Sequence, residues 1–177
     1  MSKRDLKKYL SELNKEQLEE QIIELYEKFS PVKVFYDFVF NPKEDKLLQE
    51  SKIKISQEYF PIKKPGAKWH PKAKMRRSVA QKIIKHFIVL GVDSFIIADL
   101  MFYNIEIAQA YSSGNFIKQE LFYKSMLNSF EQSVNFVISN GILSEFKARI
   151  ITIEKETIQQ KWKNKYDFEA IVDKIDF

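Results

Sequence analysis

Apolar side chains recur along most of the chain at the three- and four-residue spacing of an amphipathic α-helix. In one clear stretch, Leu18, Ile22, Leu25 and Phe29 lie at i, i+4, i+7 and i+11. No segment shows the sustained two-residue alternation of a half-buried strand. The pattern therefore predicts an all-α protein of about eight helices, arranged as antiparallel hairpins.

Capping and helix-breaking residues mark the ends of these periodic segments. Asn14 and Gln17 have the spacing of a reciprocal capping box, which predicts a helix that starts at residue 15. The pairs Ser30-Pro31 and Asn41-Pro42 predict helices that begin at each proline, because proline at the first helical position loses no hydrogen bond. Gly91 is expected to end a helix in the left-handed conformation, and Asp93 or Ser94 to cap the next one.

Three segments combine a helix, a short break and a second helix, at residues 25–41, 87–104 and 137–153. Their spacing is unequal, so the sequence leaves open an irregular bundle or a short superhelix resembling an α-solenoid. At 177 residues the chain fits a single helical domain over 1–177.

Composition excludes several classes of chemistry. The chain has no Cys, only two His and only four Gly, so thiolate catalysis, Cys-containing zinc sites and Gly-rich phosphate loops are excluded. We predict no catalytic residue, metal or cofactor, and we do not favour the interpretation that the protein is an enzyme. No apolar run follows the basic N-terminal residues, and the most apolar stretch, 95–110, is too short to span a bilayer. We therefore expect a cytoplasmic protein without a membrane partner.

A basic, proline-containing loop is predicted at residues 61–77. It holds seven basic residues and no acidic one; the whole chain carries a formal charge of +5, and without these seven it would carry −2. Two aromatic residues lie within the same stretch. The candidate residues for binding nucleic acid or another polyanion are Lys63, Lys64, Lys68, Trp69, His70, Lys72, Lys74, Arg76 and Arg77.

Three interpretations of this loop are open. Cations interleaved with aromatics suit single-stranded nucleic acid, where bases stack and phosphates are neutralised. In that case Arg76 and Arg77 would be the phosphate anchors, at the start of a helix. The loop could instead bind an acidic protein, or it could be a solvated connection with no ligand.

The second candidate is a buried polar cluster of His86, Asp99, Tyr103 and Glu106. The stripe Val79, Ile83, His86 and Leu90 places His86 on the apolar side of its helix, and an antiparallel hairpin about Gly91 would set it opposite Asp99. Tyr103 and Glu106 share a face with Asp99. These groups either satisfy one another between helices or form a His86–Asp99 pair for general-base catalysis.

Aromatic residues crowd one short segment: Phe35, Tyr36, Phe38 and Phe40. Apolar residues surround most of that helix, so it is either part of the core or an interface with another chain. We expect the core, with a homodimer as the alternative. The leading functional hypothesis is a non-enzymatic helical interaction module with an unknown protein partner.

Short motifs along nearly the whole chain carry a family resemblance. They lie at residues 5–10, 14–18, 41–42, 58–61, 90–91 with 97–100, 122–126 and 140–141. On these residues the chain resembles a family of small bacterial helical proteins known only as domain of unknown function 6155. The resemblance implies a bacterial, cytoplasmic, all-helical protein, and it assigns no activity and no site residue.

Overall fold

A computed structural model of the chain describes residues 2–63 and 65–175. Those residues form nine α-helices and no β-strand, so the all-α prediction is confirmed. The helices are α1 (Lys3–Ser11), α2 (Lys15–Lys28), α3 (Ser30–Phe40), α4 (Glu44–Tyr59), α5 (Arg77–Leu90), α6 (Ser94–Gly114), α7 (Glu120–Ser139), α8 (Leu143–Gln159) and α9 (Lys165–Val172).

The chain divides into two compact units. Unit 1 is Met1–Lys43 and contains α1 to α3, and unit 2 is Glu44–Phe177 and contains α4 to α9. The single domain over 1–177 stays a prediction, as does the choice between a bundle and a superhelix.

The first two helices of unit 1 begin with side-chain caps. The Asn14 side chain accepts a hydrogen bond from the Gln17 amide at 2.8 Å, and the Gln17 side chain accepts one from the Asn14 amide at 3.0 Å, which confirms the predicted capping box. The prediction for Ser30 is wrong by one position: the helix starts at Ser30 itself, and Phe29 is the N-cap.

The helices of unit 1 touch through polar and aromatic contacts without forming a buried core. Gln21 of α2 donates to the Tyr9 hydroxyl of α1, and the Tyr26 hydroxyl of α2 donates to Asp37 of α3 at 3.0 Å. In α1 to α3, all of which the structure describes, no residue is buried. The expectation that the aromatic residues of α3 belong to the core is therefore wrong.

Unit 2 is built around α6, which packs against α4, α5, α7 and α8. Nine residues of α6 are buried, so this helix is apolar on nearly all sides, as a central helix must be. The core continues through Met126 and Phe130 of α7, Ile150 of α8 and Phe168 of α9.

The turn between α5 and α6 follows the predicted chemistry. Gly91 has φ +72°, and the Asp93 side chain accepts from the Phe95 amide at 2.8 Å as the N-cap of α6. Helix α4 begins at Glu44, two residues later than the sequence predicts.

Candidate functional site

The basic loop lies between α4 and α5, as predicted. It follows Tyr59, the last residue of α4, and it ends where α5 begins at Arg77. Trp69 is 78% exposed, and His70 is exposed next to it. Lys64 lies outside the described residues; the other four lysines of the loop, Lys63, Lys68, Lys72 and Lys74, are all exposed.

Glu58, near the end of α4, ties the two ends of the loop together. Its carbonyl oxygen accepts hydrogen bonds from the amides of Lys74 at 2.9 Å and Met75 at 3.0 Å. Its carboxylate accepts two more from the Arg76 guanidinium, at 2.8 and 2.7 Å. The hydrogen bonds from Arg76 to the carboxylate, with the charge of Arg76, hold the pKa of Glu58 below its ordinary value. These contacts hold the two ends of the loop together.

Both arginines of the loop contact the protein itself. Arg76 pairs with Glu58, and Arg77 donates to the Ser129 hydroxyl and the Gln132 side chain of α7, each at 2.9 Å. Burial lowers the pKa of Arg77. The two side chains predicted as phosphate anchors thus already have partners within the protein, whereas the described lysines of the loop are exposed.

The second candidate, the polar cluster, is organised by a residue that the sequence analysis did not select. Arg149 of α8 donates to the Asp99 carboxylate at 2.6 Å and to the two oxygens of Glu106 at 2.5 and 2.7 Å. On the other side, the Lys52 ammonium of α4 lies 2.6 Å from Asp99 and 5.2 Å from the centroid of the Tyr103 ring. The cluster therefore links α4, α6 and α8.

Opposite charges fix the protonation of this cluster. Burial raises the pKa of Asp99, but the hydrogen bonds and charges of Lys52 and Arg149 together outweigh burial and hold that pKa below its ordinary value. Burial likewise lowers the pKa of Arg149, and the contacts to Glu106 and Asp99 outweigh it and leave the pKa raised. Two cations and two carboxylates satisfy one another, an arrangement that stabilises helix packing rather than one that leaves a free base.

His86 does not belong to the cluster, so the predicted pairing with Asp99 is wrong. Its side chain is exposed, and the buried stripe of α5 is Ala80, Ile84, Phe87 and Leu90. Leu90 belongs to both stripes, but the other three predicted positions each precede a buried one by one residue, which corresponds to a rotation of about 100° around the helix axis. Asp99, Tyr103 and Glu106 are only partly buried, and they do lie together.

Two signals in the sequence could have found the missing partners. Arg149 is one of only four arginines, and it lies in a helix whose buried positions include Phe146, Ile150 and Ile153. Lys52 lies beside the buried Ser51 in the three-to-four residue register of Ile55 and Tyr59. A charged residue on the inner side of an amphipathic helix needs an opposite charge on a neighbouring helix.

Within the described residues, no helix is long and apolar enough to cross a membrane.

Comparison with known proteins identifies the family of this chain. Neither a curated protein nor a solved structure matches the sequence. Across residues 1–176 the chain matches DUF6155, a family of unknown function, and it belongs to that family.

Proposed function

We propose that this chain is a non-enzymatic helical interaction module that pairs with a second copy of itself through α1 to α3. The observation that carries the proposal is the apolar surface of unit 1. Its three helices bury no residue, yet they expose nine large hydrophobic side chains, of which Phe40 is 80% exposed. Exposed apolar patches of this kind are typical of protein interaction sites.

The size of unit 1 supports the same proposal. A unit of about 40 residues is close to the limit below which a helical chain needs a metal, disulfides or a partner chain to bury enough apolar surface. The sequence has no Cys, so disulfides are excluded as the support. A partner that covers the apolar side chains of α2 and α3 supplies the missing burial.

Charge favours a second copy as that partner. Helix α1 carries four basic residues and one acidic one, whereas α2 carries two basic and five acidic residues. In a two-fold dimer each α1, with a net charge of +3, can face the α2 of the other copy, with a net charge of −3. The symmetry produces this favourable contact twice. Aromatic residues of α3, which are favoured interface anchors, add apolar contact area.

The mass of the native chain in solution tests the proposal. Light scattering after size-exclusion chromatography is expected to show twice the mass of the chain at high micromolar concentration. The double variant Ile22→Gln, Leu25→Gln removes two exposed apolar side chains from α2 and is expected to give a monomer. The matched control Glu16→Asp, Glu20→Asp changes two exposed side chains of the same helix but keeps their charge, and it should keep the dimer.

A fluorescent probe of apolar surface decides between the remaining outcomes. A monomeric native chain that binds anilinonaphthalene sulfonate, and binds less of it in the α2 double variant, rejects the homodimer and leaves the surface for a different protein. A monomer that binds no probe shows that this surface is not available, and it contradicts the interaction module as a whole.

A second candidate function is the binding of single-stranded nucleic acid or another polyanion by the basic loop. The specific observation in its favour is Trp69, which is exposed and carries the Lys68 ammonium 5.9 Å from its ring centroid. An exposed indole offers a stacking surface for a base, and the neighbouring lysines offer charge for phosphates.

The salt dependence of binding tests this second function. Fluorescence anisotropy with a single-stranded oligonucleotide is expected to give a slope of about −3 in log K against log salt, since four exposed lysines each release about 0.7 of a counterion. Replacing Lys63, Lys68, Lys72 and Lys74 with Gln should abolish binding. The same replacement at Lys82, Lys85, Lys118 and Lys124, exposed lysines elsewhere in unit 2, should leave it. No binding by the native chain at low salt would refute this function.

A further inference from the structure

A pocket of about 610 Å³ lies beneath the basic loop, within unit 2. It forms where the end of α4, both arms of the loop and the last turn of α6 with Asn115 meet. Its volume is in the range of small-molecule sites in proteins, which is roughly 300–1,000 Å³. The residues that line it are Tyr59, Phe60, Pro61, His70, Pro71, Lys72, Ala73, Tyr111 and Asn115.

Three aromatic rings form the inner wall of this pocket. The Tyr111 ring centroid lies 6.0 Å from that of Tyr59 and 5.6 Å from that of Phe60, the second pair edge-to-face. Tyr59 is 2% exposed, so it anchors the wall in the core, whereas Phe60 is exposed at the mouth. Burial raises the pKa of the Tyr59 phenol, and this wall stays uncharged at neutral pH. Such a surface suits a flat, apolar ring.

The outer wall of the pocket is cationic. Lys72 and His70 both line the pocket and both are exposed, and no Asp or Glu is among the described lining residues. The nearest acidic neighbour along the chain, Glu58, is paired with Arg76 and does not offset this charge. A lysine ammonium and an imidazole at one rim provide donors for a phosphate or carboxylate.

The contacts of Glu58 at the two ends of the loop hold both walls in position. Because Glu58 binds Lys74, Met75 and Arg76, the arm that carries His70 and Lys72 returns to the end of α4 that carries Tyr59. The aromatic and cationic walls therefore face one space before any ligand arrives, which lowers the entropic cost of binding.

We propose that this pocket binds an aromatic anion, a planar ring joined to a phosphate, with the ring against Phe60 and Tyr111 and the anion at Lys72 and His70. A nucleoside monophosphate has this chemistry, either free or as one unit of a single strand. The inference does not depend on α1 to α3, so it stands or falls separately from the interaction module.

Isothermal titration calorimetry with adenosine 5′-monophosphate tests the pocket. The native chain is expected to bind the nucleotide, and to bind ribose 5-phosphate or adenosine at least about tenfold more weakly, because each lacks one half of the recognition. Lys72→Gln is expected to raise Kd about tenfold by removing a charge-assisted contact. Phe60→Leu is expected to raise it about fivefold by removing the ring surface. Lys82→Gln, at an exposed lysine of α5 outside the pocket, should leave Kd unchanged.

An oligonucleotide arm distinguishes the two sources of the ligand. If the nucleotide alone does not bind, but a single-stranded oligonucleotide binds and loses affinity in both Lys72→Gln and Phe60→Leu, the ligand is a unit of a strand and the proposal holds. If neither probe binds, or if binding is the same in both pocket variants as in the native chain, the proposal is overturned. Thermal melting of each variant confirms that the comparison is between folded proteins.

Discussion

At the scale of single residues, a few side chains carry a large share of the specific contacts. Arg149 binds two carboxylates of α6, and Glu58 binds three consecutive residues at the far end of the loop. Gly91 supplies a left-handed turn between α5 and α6 that other residues adopt only with strain. At each of these positions a single substitution is expected to lower the free energy of unfolding.

Replacing Gly91 with Ala is expected to lower the free energy of unfolding by about 1–2 kcal/mol, because φ is +72° and a Cβ is strained there. The space around Gly91 is open, so backbone strain is the only cause. Gly114→Ala is the matched control: it too has open space, and it lies within α6 without a positive φ. Alanine is expected to stabilise that position by about 0.5 kcal/mol. Urea unfolding of both variants measures the difference, and equal effects would contradict this account of the turn.

Replacing Arg149 with Met is expected to lower the free energy of unfolding by about 2–3 kcal/mol, because Asp99 and Glu106 lose a partly buried partner. Lys155→Met, at an exposed position of the same helix, should change stability by less than about 0.5 kcal/mol. A double-mutant cycle of Arg149→Met with Glu106→Gln should show a coupling of about 1 kcal/mol or more. Additive effects would mean that the two side chains do not stabilise each other.

At the scale of helices and loops, local chemistry in the sequence predicted where elements start and end. Asn14 with Gln17 and Gly91 with Asp93 act as expected, because a cap is satisfied by neighbours within a few residues. The direction in which a helix faces was harder to predict. Both Val79-Ile83-His86 and Ala80-Ile84-Phe87 are mostly apolar stripes on α5, and only contacts with other helices select the second.

The basic loop shows the same limit. Its position and charge follow from the sequence, but its closure depends on Glu58, which precedes the loop, and on Ser129 and Gln132, which lie more than fifty residues later. Side chains that pair over such distances leave no local pattern. The pocket beneath the loop likewise joins residues 59–61 and 70–73 to Tyr111 and Asn115, which no spacing rule brings together.

Replacing Glu58 with Gln is expected to loosen the contact between the two ends of the loop, because Arg76 loses the carboxylate that pairs with it, while the backbone hydrogen bonds from Lys74 and Met75 remain. Limited digestion with trypsin should then cut at the loop lysines several times faster than in the native chain. Global stability should fall by only about 1 kcal/mol, since the Arg76 side chain is 53% exposed. Glu131→Gln, at an exposed position of α7, is the control and should leave the cleavage rate unchanged. Equal cleavage in all three proteins would show that the pair of the Glu58 carboxylate with Arg76 does not hold the loop closed.

At the scale of the whole molecule, the two units differ in how they use apolar residues. Unit 2 buries a core of large side chains around α6, whereas the helices of unit 1 leave all of theirs partly or fully exposed. The sequence could not distinguish these cases, because the apolar spacing of α2 and α3 is as regular as that of the core helices. The spacing of apolar residues shows which face of a helix is apolar. It does not show whether that face is buried by the same chain or by another one.

Hydrogen–deuterium exchange of the native chain at low and high micromolar concentration tests the proposed pairing most directly, because it reports where a second copy binds. Protection in α1 to α3 is expected to rise with concentration, while protection in α6 and α7 stays constant. Protection that is independent of concentration throughout the chain, or that rises only in the helices of unit 2, would contradict it.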